Sequence, residues 1–529
     1  MPHRIVLATL NAKYIHASLG LRYLRANMAR YGGPDLDAFT ELREFTIQRT
    51  PQDIVDELVG ALGPLEAGSV HIVGMGIYIW NVEPSTRVIE LLKAQRPDVR
   101  VVLGGPEVSH EFDNQLIVDA ADYVITGWGD LSFPKLCRAL VHGPRPLMKV
   151  IAGEQPALDD IVMPYAQYSD VDLAQRVLYV EASRGCPFKC EFCLSALDKT
   201  AWAFDLDAFL AELASLYGRG ARTFKFVDRT FNLKIDASIQ ILEFFLDKLA
   251  AHPQEPLFVH FELVPDQLPE RLKSCISRFP AGVLQFEIGI QTLNPIVQQA
   301  ISRRQDATKT EANLRWLITH SHAHLHTDLI FGLPGEDWQS FAQGFDTLWS
   351  WRPHEIQLGV LKRLRGTPLA VKNHDGMVFQ SEPPYAVLQT DALSPEEVQS
   401  FVRLARYWDL VANSGRFSQT MGLLMQGASA FDAFAAFAQW LWRTHERTSG
   451  LTPEMLVDAL FAYLSVERRL EVEPVRAALL ADYLGSGARA SPRSLIGHLP
   501  SRSARALLSQ PEGARHAKRQ KQHAAVLTP

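Results

Sequence analysis

Two stretches of the chain alternate short apolar runs with amphipathic helical segments, and this alternation restricts the possible folds more than any other feature of the sequence. In the first stretch, strand-like runs occupy residues 5–10, 39–46, 70–79, 99–103 and 123–126, with helical patterns between them. Parallel strands that alternate with helices are buried on both faces, and their sequences read as nearly continuous apolar runs. The first stretch therefore predicts an α/β domain with a doubly wound parallel sheet.

The second stretch repeats this pattern, with strand-like runs at residues 177–181, 223–227, 257–263, 283–288, 324–330 and 355–360. Helical patterns separate these runs and predict a second series of parallel βα units. On this basis the chain divides into a first domain at 1–146, a linker with several prolines at 147–174 and a second βα domain at 175–375. A mostly helical domain at 376–484 follows. The last segment is a basic tail at 485–529, which we expect to be disordered.

The composition excludes several classes of protein. The 529 residues suggest about three domains, and a net charge of −6 provides no overall basic field for nucleic acid. No apolar stretch is long enough to predict a membrane span, and no N-terminal signal peptide is visible. The five cysteines, three of them clustered, do not form a disulfide framework and are typical of a reducing cytoplasm with a metal site. We therefore expect a cytoplasmic protein with neither a membrane nor a nucleic acid as its partner.

The clustered cysteines, Cys186, Cys190 and Cys193, have the spacing C-x₃-C-x₂-C and directly follow an apolar strand-like run. A [4Fe–4S] cluster usually takes four cysteines, so three thiolates would leave one iron open to another ligand. A zinc site and plain buried cysteines are the alternatives. Structural zinc sites normally use four Cys or His ligands, and no second pair is present here. Cys137 and Cys275 are isolated on apolar helical stretches and are expected to pack in the core.

The cysteine motif resembles the cluster loop of the radical SAM enzymes, including the aromatic Phe192 before the third cysteine. The resemblance implies a partial (β/α)₆ barrel in which the open iron binds S-adenosylmethionine (SAM). An electron from the cluster, delivered by a donor such as flavodoxin or ferredoxin, cleaves SAM to give a 5′-deoxyadenosyl radical. In barrels of this kind the chemistry lies at the carboxyl ends of the strands.

The strand ends of the second domain supply candidate SAM contacts. In place of the Gly-Gly-Glu turn of most members, the second strand ends in an Asp-x-x-Phe variant, and the resemblance implies contact through the backbone of Val227 and Asp228. Glu287 is a candidate acceptor for the SAM amine or ribose, because a carboxylate suits both donors. Arg303 or Arg304 is a candidate to bind a carboxylate of SAM or of the substrate, because a guanidinium pairs well with a carboxylate. The remaining candidates in the family pattern are Gln291, Ile330 and Gly332. When Glu262 and Arg304 are each considered alone, a purely structural role is the better interpretation.

The strand ends of the first domain are rich in glycine, small polar residues and aromatic residues, which let a backbone approach a large flat ligand. They resemble the flavodoxin-like cobalamin-binding domain that precedes the barrel in one class of radical SAM enzymes. The contacts that this resemblance implies are Asn11, Ser18, Tyr78, Trp80, Gly104, Gly105, Pro106, Gly127 and Gly129. The Asp-x-His-x-x-Gly signature of a cobalt-ligating histidine is missing, so we expect base-off cobalamin without a protein imidazole. His16 and His110 lie in these strand-end loops, and the alternative to a role in ligand binding is that each is a solvated loop histidine.

These features predict a cobalamin-dependent radical SAM enzyme with a [4Fe–4S] cluster, SAM and cobalamin as cofactors. The domain order favours methylation of an unactivated carbon of an unidentified substrate, and a rearrangement or cyclisation is the alternative within the class. A methylthiotransferase would need a second cluster on N-terminal cysteines, but no cysteine precedes Cys137. A non-catalytic iron–sulfur or cobalamin sensor is the alternative from another class. The helical region resembles an uncharacterised extension of one subfamily.

Overall fold

A computed structural model gives the fold and describes residues 3–198, 200–372, 374, 376–488 and 490–500. The strands are β1 (Arg4–Asn11), β2 (Thr40–Thr46), β3 (His71–Gly76), β4 (Arg100–Gly104), β5 (Tyr123–Thr126), β6 (Val150–Ala152), β7 (Leu178–Val180), β8 (Ser183–Gly185), β9 (Ala201–Ala203), β10 (Thr223–Phe226), β11 (Phe258–Leu263), β12 (Leu284–Gln291), β13 (His324–Phe331), β14 (Glu355–Val360), β15 (Val378–Phe379) and β16 (Val387–Gln389).

The helices between them are α1 (Leu19–Asn27), α2 (Pro34–Asp37), α3 (Pro51–Leu62), α4 (Val82–Gln95), α5 (Leu116–Ala120), α6 (Ser132–His142), α7 (Asp170–Gln175), α8 (Leu206–Gly218), α9 (Ile235–Ala251), α10 (Glu270–Ile276), α11 (Pro295–Ala300), α12 (Ala307–His320), α13 (Trp338–Ser350), α14 (Pro368–Lys372), α15 (Pro395–Val411), α16 (Ser418–Leu424), α17 (Ala430–His445), α18 (Pro453–Ala462) and α19 (Val472–Gly485). No helix among the described residues is long and apolar enough to cross a membrane.

The first domain is a parallel sheet with the strand order β2-β1-β3-β4-β5-β6. Ile5, Val6 and Leu7 of β1 are fully buried because helices cover both faces of the sheet. The first five strands have the flavodoxin-like order, which confirms the predicted fold class. Strand β6 was not predicted, because a run of three residues carries too little periodicity to be distinguished from a loop.

The segment predicted as an extended linker, residues 147–174, is instead folded. It contains β6 and α7, and the side chains of Tyr165 and Tyr168 in it are buried. The Tyr168 hydroxyl donates a hydrogen bond to the carbonyl of Tyr179 in the second domain at 2.7 Å. Proline punctuation suggested an extended connection, but the aromatic residues pack this segment onto the neighbouring domain.

The second domain is the predicted partial barrel, with parallel strands in the order β7-β10-β11-β12-β13-β14. Its outward-facing residues, such as Phe224, Phe261 and Phe286, are fully buried against the helices. Strand register places Glu262 beside Glu287, and Glu287 beside His326, on the opposite, inner face. The period of two along each strand therefore separates an apolar outer face from a polar inner face.

Strands β8 and β9 form an antiparallel ribbon, and the cysteine motif lies in the connection between them. We call this pair of strands the cluster ribbon. It was not predicted, because glycine and proline near the cysteines indicated only an irregular loop. The ribbon gives this loop two fixed ends.

The C-terminal region is mostly helical, as predicted, and its helices pack on the barrel. Trp408 donates from its indole nitrogen to the carbonyl of Ile356 at 2.7 Å, and Phe331 and Phe401 stack with ring centroids 3.9 Å apart. The predicted disordered tail is wrong for its first part. Leu495 is fully buried, and the carboxylate of Asp458 accepts from the backbone nitrogen atoms of residues 493 and 494. The remainder of the predicted tail, residues 501–529 with Arg489, lies outside the described residues.

Candidate active site

The three clustered cysteines border one cavity of about 270 Å³ at the carboxyl ends of the barrel strands. Phe188 and Phe192 line the same cavity. Burial, together with the neighbouring thiols, raises the pKa of the Cys186 thiol. Within the described part of the chain, no group of three His, Cys, Asp or Glu side chains forms a site that could hold a single metal ion. Three thiols around one open space suit a cluster with one free iron better than a zinc ion.

Acidic side chains from adjacent strands line the same cavity as the cysteines. Glu262, Glu287 and Asp328 come from β11, β12 and β13 and line it together. Burial acts to raise the pKa of Glu287, but a hydrogen bond from His260 and the charge of Lys225 hold that pKa well below its usual range. The Nε2 atom of His260 lies 3.1 Å from Oε2 of Glu287, and Nζ of Lys225 lies 3.5 Å from it. Glu287 is therefore a fixed carboxylate that can accept hydrogen bonds from a ligand.

Basic side chains line the same cavity. Arg303 and Arg304 line it, and Nη1 of Arg303 donates to Sγ of Cys190 at 3.6 Å. Arg303 also donates to the carbonyl of Gly289 on β12. This guanidinium links the cysteine loop to the barrel strands and gives the cavity a site for a carboxylate.

The inner face of the barrel below this cavity is charged. His326 on β13 lies 3.3 Å from Asp328 and 3.5 Å from Glu355, measured from its ring nitrogen atoms to the carboxylate oxygen atoms. Burial lowers the pKa of His326, but these carboxylates outweigh it and raise the pKa to about 10. A barrel interior that only provides stability is filled with branched apolar side chains. This interior is a polar surface that adjoins the candidate active site.

The structure brings only part of the predicted SAM contacts to the cavity. Phe192, Glu287 and Gln291 line it. Four other predicted contacts do not line it, namely Val227, Asp228, Ile330 and Gly332. Burial raises the pKa of Asp228 to about 7, and its carboxylate accepts from the backbone of Ala182 at 3.0 Å and from the hydroxyl of Ser183 at 2.5 Å. The Asp228 side chain thus holds the start of the cluster ribbon.

A second cavity, of about 370 Å³, lies at the carboxyl ends of the first sheet. The predicted residues that line it are Tyr78, Gly104, Gly105, Gly127 and Gly129. Trp128 and Asp130, in the same turn as Gly127 and Gly129, line it as well. The sequence analysis missed several further lining residues, among them Gly20, Tyr23, Gly74, Gly76, Glu181 and Arg184. The glycines inside β3 were a usable signal, because a glycine within a strand often marks close approach by a ligand or another backbone.

The other predicted contacts of this cavity do not line it, namely Asn11, Ser18, Trp80 and Pro106. Asn11 and the backbone nitrogen of Ser18 both donate to Oε1 of Glu44, at 3.0 and 2.5 Å. Glu44 also pairs with Arg22 and Arg176, and the Arg176 pair crosses to the second domain. The loop after β1 therefore joins the domains. Trp80 stacks on Tyr78 with centroids 4.4 Å apart.

The floor of this second cavity suits a large, flat ligand. A Cβ atom at Gly104 would meet only the carbonyl oxygen of Ile125, at 3.7 Å, so glycine leaves space there that any other residue would fill. No histidine is among the described residues that line the cavity. His16 instead binds the hydroxyl of Tyr179 through Nδ1 at 2.7 Å, and the ring of His110 lies against Gly366. The described lining of this cavity therefore combines open space over glycine with no imidazole side chain.

Comparison with known families agrees with these two cavities. The model of the radical SAM superfamily matches residues 180–348, and that of the B12 binding domain matches residues 5–137. A family described as a protein of unknown function (DUF4080) matches residues 373–512. The chain thus combines a B12-binding domain with a domain of the radical SAM superfamily, and its cofactors are a [4Fe–4S] cluster, SAM and cobalamin.

Several characterised proteins are similar to this chain. A 2-(S-pantetheinyl)-carbapenam-3-carboxylate methyltransferase of Streptantibioticus cattleyicolor is 23% identical over 64% of this chain and 57% of its own length. The cobalamin-dependent radical SAM methyltransferase TokK of Streptomyces tokunonensis is 23% identical over 55% of this chain and 47% of its own length. A tRNA-2-methylthio-N(6)-dimethylallyladenosine synthase of Acinetobacter baylyi is 26% identical over 48% of this chain and 54% of its own length. The chain spans about half the length of these relatives.

Solved structures share the fold across most of the chain. The cobalamin-dependent SAM radical enzyme OxsB superimposes with a TM-score of 0.57 and 10% identity, over 99% of this chain and 83% of OxsB. The methyltransferase TsrM of Kitasatospora setae superimposes with a TM-score of 0.56 and 14% identity, over 84% of this chain and 99% of TsrM. At these identities the likeness concerns the fold.

Proposed function

We propose that this protein is a cobalamin-dependent radical SAM methyltransferase that methylates an unactivated carbon of a substrate. The observation that carries this proposal is that the linings of the two cavities come within one residue of each other along the chain. Arg184 lines the glycine-rich cavity of the first domain, and only Gly185 separates it from Cys186 of the cysteine cavity. Two cofactor sites in such proximity suit a reaction that draws on both.

Each cofactor has residues of this chain that fit it. Cys186, Cys190 and Cys193 would hold the cluster, which supplies the electron that cleaves SAM. Glu287 and Arg303 carry opposite charges and both line the cysteine cavity, so they would orient the amine and the carboxylate of SAM. The cavity over Gly104 and Gly105 would hold cobalamin, which supplies the methyl group.

The alternatives are less well supported. A methylthiotransferase-like enzyme would need further N-terminal cysteines, and the sequence has none before Cys137. A radical rearrangement or cyclisation would use the same two cavities without net methyl transfer. A non-catalytic sensor would not need the SAM-binding groups that Glu287, Arg303 and Arg304 provide in the cysteine cavity. As the electron donor we propose a flavodoxin or ferredoxin in a reducing cytoplasm.

Anaerobic reconstitution tests the proposal. Protein loaded with iron and sulfide should bind about four irons per chain and release 5′-deoxyadenosine from SAM under reduction. Cys190→Ser should abolish both, and Cys275→Ser is the matched control, since Cys275 is a buried cysteine on α10. With cobalamin and substrate present, S-adenosylhomocysteine should form together with 5′-deoxyadenosine. Deoxyadenosine alone would favour a rearrangement, neither product would favour a sensor, and stoichiometric zinc without iron would exclude the cluster.

A further inference from the structure

The cysteine loop is attached to the first domain through the cluster ribbon. Strand β8 pairs with β9, and Gly185 at the end of β8 faces Ala201 at the start of β9. The cysteine loop connects these two residues. Any displacement of the ribbon must therefore displace the ends of this loop.

Arg184 on β8 fixes one strand of the ribbon to the wall of the first-domain cavity. Its Nη1 and Nη2 atoms donate to the two carboxylate oxygen atoms of Asp130 at 2.9 and 3.1 Å. Its Nε atom donates to Glu181 at 2.7 Å. The guanidinium also lies 4.2 Å from the ring centroid of Tyr23 and 4.9 Å from that of Trp128. A planar guanidinium with a bidentate carboxylate and aromatic rings on it has a single well-defined position.

The second strand of the ribbon contacts the same wall. Trp202 on β9 lies edge-on to Trp128, with ring centroids 5.9 Å apart at 86°. Phe204, just after β9, stacks on Tyr23 with centroids 6.4 Å apart. Tyr23, Trp128 and Asp130 all line the first-domain cavity. Both strands that support the cysteine loop thus rest on residues that a ligand in that cavity would touch.

We propose that Arg184 is a positioning residue that couples the two cofactor sites, so that a cluster in the cysteine loop strengthens cobalamin binding in the first-domain cavity. The inference rests on the proposed function, because it takes cobalamin as the occupant of that cavity. Coupling between two sites is reciprocal, so cobalamin must strengthen cluster retention by the same factor. Arg184 itself need not touch either reacting centre.

The test measures hydroxocobalamin affinity by absorbance titration of the full-length protein, with and without the reconstituted cluster. In the wild type, the cluster should lower the dissociation constant by about tenfold, within the range that is usual for coupled sites. In Asp130→Asn, which removes the charge that holds Arg184 to the first domain and leaves only its pair with Glu181, this ratio should fall close to one. The EPR spectrum of the reduced cluster should change on cobalamin addition in the wild type and stay constant in the variant. A purely structural role would change stability without changing this ratio.

A matched control comes from another contact between the domains. Glu111 accepts from Arg363 at 2.9 Å, on a part of the interface that does not involve the ribbon. Glu111→Gln should keep the tenfold ratio, and Arg184→Lys should lose it as Asp130→Asn does. Equal affinity of the two wild-type forms, or an unchanged ratio in both Arg184→Lys and Asp130→Asn, would overturn the coupling and leave the proposed function intact. Failure of the wild type to bind hydroxocobalamin would instead overturn cobalamin as the occupant, and the proposed function with it.

Discussion

The Nε2 atom of His260 lies 3.1 Å from Oε2 of Glu287 on the inner face of two adjacent barrel strands. Burial lowers the pKa of His260, so its imidazole is neutral at pH 7 and donates one hydrogen bond to Glu287. Glu287 is charged at the same pH, because its pKa is held below the usual range. The pair therefore presents a carboxylate of fixed orientation to the cysteine cavity.

We expect Glu287→Gln to weaken SAM binding by about tenfold to a hundredfold, since a lost hydrogen bond to a charged group costs about 1.5–3 kcal/mol. Iron content should stay unchanged. The measurement is the dependence of 5′-deoxyadenosine formation on SAM concentration, together with direct titration. Glu243→Gln is the control, because Glu243 lies on α9 and pairs only with Arg278 among the described contacts. Unaltered SAM affinity in Glu287→Gln would remove Glu287 from the site.

Gly104 offers a direct test of the first-domain cavity. Gly104→Leu should place its side chain in the cavity and abolish hydroxocobalamin binding, whereas Gly104→Ala should weaken it less. SAM cleavage should persist in both variants, since the cysteines lie in the other domain. Gly105 is a poor target, because it has a φ of 111° and a Cβ atom there would lie 2.4 Å from the carbonyl oxygen of Ile77. Normal cobalamin binding by a folded Gly104→Leu protein would place the cofactor elsewhere.

The absence of histidine from the described lining of this cavity predicts the spectroscopy of the bound cofactor. The EPR spectrum of bound cob(II)alamin should show no nitrogen splitting from a protein imidazole. His16→Gln and His110→Gln should leave the spectrum unchanged. A nitrogen splitting that disappears in either variant would identify a histidine ligand and contradict the base-off assignment.

His326 predicts a dependence of stability on pH. Its pKa is about 10 in the folded protein, compared with 6.5 for an ordinary histidine. Between these pH values the folded protein holds a proton that the unfolded chain has released. The stabilisation is therefore complete below pH 6.5 and is lost as the pH rises towards 10, by about 2–5 kcal/mol in total.

The measurement is the melting temperature of wild type and His326→Gln from pH 6 to pH 10. The wild type should lose its advantage over the variant across this range. His252→Gln, at an exposed position on the end of α9, is the control. Parallel pH profiles of the melting temperatures of the wild type and His326→Gln would show that the ion pairs of His326 do not contribute to the pH dependence of stability.

Much of the fold follows from local sequence pattern. The barrel strands were predicted because each one is a short apolar run between two helical patterns. The structure adds that buried apolar residues alternate with polar residues along these strands, as in Phe224, Lys225 and Phe226. The glycines Gly104, Gly105, Gly127 and Gly129 were found because a strand end rich in glycine leaves room for a ligand. In these cases the physical cause lies within a few residues of the chain.

The contacts that were missed depend on residues far apart in sequence. Asn11 and Ser18 have the composition of a binding loop, yet Glu44 binds both of them. Arg184 had no role in the sequence analysis, because Asp130 and Trp128 lie in a different domain. Strand β6 is too short to have a period. Local pattern carries no information about such long-range pairs.

The aromatic cage of Arg184 limits how such enzymes exchange domains in evolution. A barrel inherited with a foreign N-terminal domain would leave Arg184 without its carboxylate and would expose Trp202 and Phe204 to water. Unpaired, desolvated charge and exposed aromatic surface are both costly. Successful recombination between members must therefore transfer the turn at Gly127–Asp130 together with the ribbon residues, and these distant sequence positions should be inherited as one block.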